Sequence, residues 1–174
     1  MTNWDVLIVG AGQAGCAAAW DLAAAGLRVA VISRPPSRGK PCAGGVTEKA
    51  VARYRFSIAP VVREAVTSLA VSHSSSPVRH LSSATPFCVM TERAELDAFC
   101  RGQAEYQGAV FHETAGLTGL EQWADCVRIE TREGAVFSAP WLIAADGANS
   151  AVARLLGERH PAGAMAIEGC VPRE

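Results

Sequence analysis

Residues 5–34 read DVLIVGAGQAGCAAAWDLAAAGLRVAVISR, and the fold turns on them. Val6 to Val9 is a short unbroken apolar run, the pattern of a strand covered on both faces. Gly10, Gly12 and Gly15 follow at GxGxxG spacing. An alanine-rich stretch of high helix propensity comes next, Gly26 is placed to end it, and Leu27 to Ile32 returns to strand. In such a strand–turn–helix–strand unit Gly10 permits the tight bend. Gly12 leaves room for a pyrophosphate against the backbone, and Gly15 lets the helix pack closely. The helix N-terminus then offers free N–H groups and a positive dipole end to phosphate. GxGxxG alone is a weak signal; its strand-to-helix context makes it a dinucleotide-binding turn.

The end of the second strand departs from the usual pattern. A carboxylate there commonly holds the ribose hydroxyls, whereas this chain has Ser33 followed by Arg34. A serine hydroxyl replaces charge-assisted hydrogen bonds with a neutral one. Arg34 either receives a 2′-phosphate, as in NADP, or lies over the adenine, or faces solvent.

The whole chain has 174 residues, 49% hydrophobic and 19% charged, a globular balance. Lys and Arg number 16 against 17 Asp and Glu, for a net charge of -1. That balance favours neither a nucleic-acid partner nor a polybasic membrane contact. The start, MTNWDVLIVG, lacks a cationic stretch, so no secretory signal is expected and the expected location is the cytoplasm. Gly, Asp or Arg interrupts every long apolar stretch, so no spanning helix is expected. Cys16, Cys42, Cys88, Cys100, Cys126 and Cys170 form no CxxC pair, and the four histidines show no ligand spacing. We expect no metal site, and most of the cysteines as small buried hydrophobes.

Residues 35–46 are loop by composition, and within them KPCAGGV (40–46) sets Cys42 between a proline and a small-residue turn. Thr47 is a cap for a short helix through Tyr54. Leu69, Val71 and His73 alternate with polar residues as in a half-exposed strand, with Arg79 and His80 on a neighbour and Phe87 to Met90 as another. TERAELDAFCRGQAEYQGA is a helix capped by Thr91, with Leu96, Phe99 and Cys100 on one face and Gly108 closing it. Val110 to His112 is a short strand, and Ala124–Thr131 with Ala135–Ala139 is a hairpin around Glu133-Gly134. Trp141 to Ala144 reads as a buried strand ending at Asp146-Gly147, with Asn149 or Ser150 capping the next helix. Ligands bind at that end of open α/β sheets, and an Asp there is either a ligand contact or a helix-capping turn. Met165 to Val171 reads as one more strand.

The order GxGxxG, KPCAGG, TERAELD, IAADGANSAV resembles the geranylgeranyl reductase family of FAD-dependent oxidoreductases, a branch of the p-hydroxybenzoate-hydroxylase-like flavoproteins. The resemblance implies an α/β fold, a Rossmann-like FAD/NAD(P)-binding domain with an inserted partial antiparallel β substrate domain. It divides the chain into 1–60 and 91–160 for the FAD-binding domain, 61–90 for the start of the substrate sheet, and 161–174 for a further substrate-domain strand. It implies that Gly10, Gly12, Ala14 and Gly15 line the FAD pyrophosphate and that Ser33 takes the place of the ribose-binding acid. It sets Cys42, Ala43 and Gly45 beside the flavin, brings Arg93 (from an R-x-x-x-D pattern with Asp97) to FAD, gives adenine a backbone contact at Leu117, and makes Asp146 and Gly147 the DG motif. Ala153 stands where family members often have Arg, with Arg154 one step later.

The family reduces isoprenoid double bonds, with NAD(P)H or ferredoxin as electron donor, and Cys42 is then either a proton donor or only a shape element. A lipidic substrate allows a peripheral membrane contact, although no amphipathic anchor is visible. The same fold also implies an alternative, an aromatic hydroxylase or halogenase that activates oxygen. The resemblance covers roughly the N-terminal half of such an enzyme, on domain-size grounds. A truncated fragment that binds FAD poorly and lacks catalysis is the third expectation.

Overall fold

The computed structural model describes residues 4–35, 42–74 and 76–158. In chain order the elements are β1 (Val6–Val9), α1 (Gln13–Ala24), β2 (Val29–Ser33), β3 (Gly45–Thr47), α2 (Glu48–Val51), a 3-10 turn (Ala59–Val61), β4 (Val62–Val66), β5 (Ser68–Val71) and β6 (Arg79–Ser82). There follow β7 (Cys88–Thr91), α3 (Arg93–Tyr106), β8 (Val110–Glu113), β9 (Leu117–Gln122), β10 (Val127–Thr131), β11 (Val136–Ala139), β12 (Trp141–Ala144) and α4 (Ala151–Leu155). The chain divides into two units, Met1–Arg38 with Asp97–Met165 and Gly39–Leu96 with Ala166–Glu174.

The first unit is built on a parallel sheet of order β12-β1-β2-β8. Val6 lies opposite Val29 on one side and Trp141 on the other, and Ala30 lies opposite Val110. The apolar run of β1 is buried throughout because strand alternation feeds two cores. Val6, Ile8, Val29 and Val31 pack with Ala19 and Ala23 of α1 and Ala104 of α3. Leu7, Val9, Ala30 and Ile32 pack with Ile129, Ala139 and Val152 on the opposite face. That second face is covered by an antiparallel sheet of order β11-β10-β9 and by Val152 of α4. The alanines of α1 let the helix axis approach the sheet, and Gly26, at φ +84°, donates to Ala23 O as the helix ends. Because all four parallel strands point one way, Gly10, Ser33, Glu113 and Ala145 stand at the same end of the sheet.

The second unit holds an antiparallel sheet of order β3-β7-β4 and a separate hairpin, β5 with β6. Leu69 lies opposite Leu81 in the hairpin, and both are about half exposed. Thr47 caps α2, accepting the N–H of Ala50 at 3.4 Å. This arrangement, a parallel Rossmann-like sheet with separate antiparallel sheets, is the α/β architecture that the sequence leads one to expect.

Several local expectations are corrected. α2 ends at Val51, short of Tyr54. Thr91 belongs to β7 and its hydroxyl donates to Gly44 O at 2.8 Å, while α3 begins at Arg93, so Thr91 does not cap it. β12 is an edge strand with Trp141 71% exposed, because β1 covers it on one side only among the described residues. The strand expected from Ala124 starts at Val127, after a turn in which Trp123 N–H bonds Cys126 O. β4 and β9 were not anticipated as strands. The expected strand over Met165–Val171 lies outside the described residues.

Candidate nucleotide-binding site

The glycine turn is closed by backbone on two sides. Gly10 has φ +105°, a conformation that side chains rarely adopt, and a Cβ there would stand 2.4 Å from Ala145 O. A Cβ on Gly15 would stand 1.9 Å from Gly10 O. Gly15 therefore packs against the turn itself, a closer constraint than helix against sheet. Gly12 is the N-cap residue of α1, with no side-chain cap and no acid in the first turn. The leading N–H groups of a helix have no intrahelical acceptor, and an anion is the partner that suits this uncapped end.

Two polar atoms are buried near the strand ends without a hydrogen-bond partner: Ser33 Oγ and Asp146 Oδ1. Ser33 closes β2 and is 8% exposed. Asp146 uses its other oxygen to accept from Ala151 N at 2.6 Å and Val152 N at 3.2 Å, while Ser150 Oγ accepts from Ala153 N at 2.9 Å. Of the two alternatives for Asp146, the helix-capping one accounts for Oδ2, while Oδ1 is buried without a partner. Ala14, Asp146 and Gly147 line one open cleft of ≈ 460 Å³ together with Ala145 and Ser150. An uncapped helix end and two orphaned polar atoms at one sheet end are the donor and acceptor set that a dinucleotide such as FAD would fill.

Side chains behind the turn hold it. Gln13 Nε2 donates to Asp97 Oδ1 at 2.6 Å, and Cys100 Sγ donates to Gln13 Oε1 at 3.3 Å, so α3 is tied to the first residue of α1. Cys16 is buried beneath, and burial, with the charges of Cys100 and Asp97 adding to it, pushes its thiol up to about 12. It is a core group and not a nucleophile. Arg34 is exposed, and Leu117 opens β9, three residues beyond Thr114, whose N–H bonds Ser33 O at 2.9 Å.

Cys42, Ala43 and Gly45 belong to the second unit, and Arg93 opens α3 at its border. Cys42 is exposed, its Sγ accepting Gly44 N–H at 3.4 Å. Gly44, at φ +75°, is forced: a Cβ there would meet Thr91 O at 1.8 Å. The structure therefore brings Gly10, Gly12, Ala14, Gly15, Ser33, Asp146 and Gly147 to one end of one sheet. Sequence reading did not find Gln13, Glu113, Thr114 or Glu133 around it. Among the described residues, no group of three or more His, Cys, Asp or Glu could hold a metal ion, and no helix is long and apolar enough to cross a membrane.

Fold and site together define a dinucleotide-binding flavoprotein domain. The family model described as FAD binding domain matches residues 3–171, and the chain belongs to that family. It is 34% identical over 155 residues to an uncharacterised protein of Methanosarcina barkeri, covering 88% of this chain and 40% of that one. It is 31% identical over 158 residues to the geranylgeranyl diphosphate reductase of Rhodobacter capsulatus, covering 86% and 39%. The chain thus spans about two fifths of the length of these curated relatives. Among solved structures it resembles the halogenase PltM in complex with phloroglucinol and FAD, with TM-score 0.68 at 18% identity over 88% of this chain and 36% of that one. It also resembles aklavinone-11 hydroxylase with FAD and aklavinone, with TM-score 0.65 at 24% identity over 88% and 35%.

Proposed function

We propose that the chain is the FAD-binding part of a FAD-dependent oxidoreductase acting on a small molecule. The observation that carries this is the uncapped N-terminus of α1 standing at the same sheet end as the partnerless Ser33 Oγ and Asp146 Oδ1. In this reading the first-turn N–H groups of α1 bind the pyrophosphate, Gly12 lets it reach the backbone, and Asp146 Oδ1 accepts from a hydroxyl of the cofactor. The backbone of Leu117 meets the adenine. FAD, when bound, supplies the redox chemistry.

Two finer readings are open to test. Oxygen activation for aromatic hydroxylation or halogenation is supported by the fold likeness to the halogenase and the hydroxylase. Reduction of an isoprenoid double bond is supported by the 31% identical reductase and by the KPCAGG loop. The fold neighbours weigh toward the first. In the second the alkene gains a hydride and a proton, NAD(P)H or ferredoxin is the electron source, and Cys42 is the proposed proton donor.

Titrating the purified chain with FAD and recording the visible spectrum tests the common core. A yellow, saturable complex is expected, and a colourless folded protein would leave an inert fragment. With NAD(P)H present, substrate-linked oxygen uptake would select the first finer reading. Anaerobic saturation of a geranylgeranyl chain would select the second, and unchanged turnover in Cys42→Ala would then remove the thiol as acid.

A further inference from the structure

We propose that Glu113 supplies, from the neighbouring strand, the ribose-binding carboxylate that β2 lacks at Ser33. The proposal rests on reading this sheet end as an FAD site. In the parallel pairing of β2 with β8, Ser33 lies directly opposite Glu113. Neighbouring strands are about 4.8 Å apart, and register partners point to the same face. That face is the helical one, since Val29, Val31 and Phe111 two and four residues back join the core under α1 and α3.

The carboxylate is braced. Arg101 of α3 donates Nη1–H to Glu113 Oε1 at 3.0 Å and Nε–H to Glu105 Oε1 at 3.0 Å, and it lies 4.8 Å over the Phe111 ring. Glu113 Oε2 has no partner among the described residues, and the carboxylate stays 45% exposed, within reach of a ligand. The strand ends are locked together as well. Thr114 N–H bonds Ser33 O at 2.9 Å, and Glu133 accepts from Thr114 Oγ1 at 2.5 Å and Ala115 N at 2.7 Å. A ribose diol then finds two partners, Glu113 Oε2 for one hydroxyl and the buried, unpartnered Ser33 Oγ for the other. Arg34, the exposed neighbour, has no acceptor to offer a hydroxyl.

The test compares ADP with 2′-deoxy-ADP by titration calorimetry on the full chain, with circular dichroism to check folding. Wild type is expected to bind ADP about tenfold tighter, the worth of one hydrogen bond to a charged group. Glu113→Gln should remove that preference, and adding Ser33→Asp to it should restore the preference. Arg101→Gln should keep most of it, because the carboxylate remains. Equal wild-type affinities for the two nucleotides, or a Glu113→Gln variant that keeps the preference, would overturn the proposal without needing any variant to be fragile. So would a Glu113→Gln variant that weakens both nucleotides alike. FAD binding by wild type separates the two claims: failure to bind FAD or ADP at all sinks the site itself, and binding without a 2′-hydroxyl preference sinks only Glu113.

Discussion

At Gly15 an added methyl group would stand 1.9 Å from the Gly10 carbonyl oxygen, an atom of the backbone that cannot turn aside. Gly15→Ala should therefore cost about 1–3 kcal/mol as overpacking, read by urea unfolding. It should weaken FAD binding beyond that by opening the turn, whereas Gly102→Ala, where a Cβ meets nothing within 4 Å, should do neither. Equal behaviour of the two variants would remove the close-approach argument. His112 makes a different test. Its ring stands 5.8 Å from Trp4 and 4.8 Å from Phe137, Nε2 is buried without a partner, and burial lowers its pKa from the ordinary histidine value. The unfolded chain, titrating near 6.5, takes up this proton first, so His112 leaves stability intact above that pH and lowers it as pH falls below. Replacing it with Phe should flatten the stability profile below about pH 6.5, and an unchanged slope in His112→Phe would refute the assignment.

β1, α1 and β2 were legible because their signal is local: an unbroken apolar run, a glycine spacing and an alanine helix lie within thirty residues. β4 (VREAV) and β9 (LTGLEQ) were not, because neither alternates cleanly. β4 is mostly exposed, and β9 carries Gly119 in its middle and a bulge opposite Glu130/Thr131. Ser33 was legible as a missing acid, but its facing Glu113 was not, since register between strands eighty residues apart leaves no mark in either segment. The same holds for Glu133, which looked like hairpin-turn filler. Its carboxylate joins the β10–β11 turn to the β8–β9 connection, and the Thr114 hydroxyl, with the Ala115 N–H, lowers its pKa to about 2. Because the folded value lies below the unfolded 4.5, the contribution is present above about pH 4.5 and is lost as pH falls toward 2. Glu133→Gln should speed hydrogen exchange at Ala115 and Gly116 at neutral pH while leaving β1 amides protected. Beneath that junction Ile129 is fully buried, and Ile129→Ala should cost about 2–5 kcal/mol. A loss below 1 kcal/mol would mean that the antiparallel layer does not seal the sheet face.

Across the whole molecule, Gly10, Gly12, Gly15, Ser33 and Asp146, the residues proposed to meet the cofactor's phosphates and ribose, stand at the strand ends of the first unit, while the second unit contributes thin sheets with exposed apolar side chains. Leu69, Val71 and Leu81 are each 45–56% exposed on a two-stranded hairpin, an element of marginal stability by itself. Stability is then uneven, and a ligand that binds only the folded first unit should act where its contacts are. FAD at a hundredfold excess over its dissociation constant should stabilise the folded state by about 2.7 kcal/mol, a rise in melting temperature of roughly 5–10 °C for a chain of this size. Riboflavin, which lacks the pyrophosphate and adenosine that α1, Ser33 and Asp146 are proposed to meet, should give little of that shift. Hydrogen exchange should slow first at Gly12 to Cys16 and at the ends of β2 and β12, because those amides surround the uncapped helix and the two orphaned oxygens. If riboflavin and FAD raise the melting temperature equally, the binding energy comes from the isoalloxazine alone, and the glycine turn is not the cofactor's anchor.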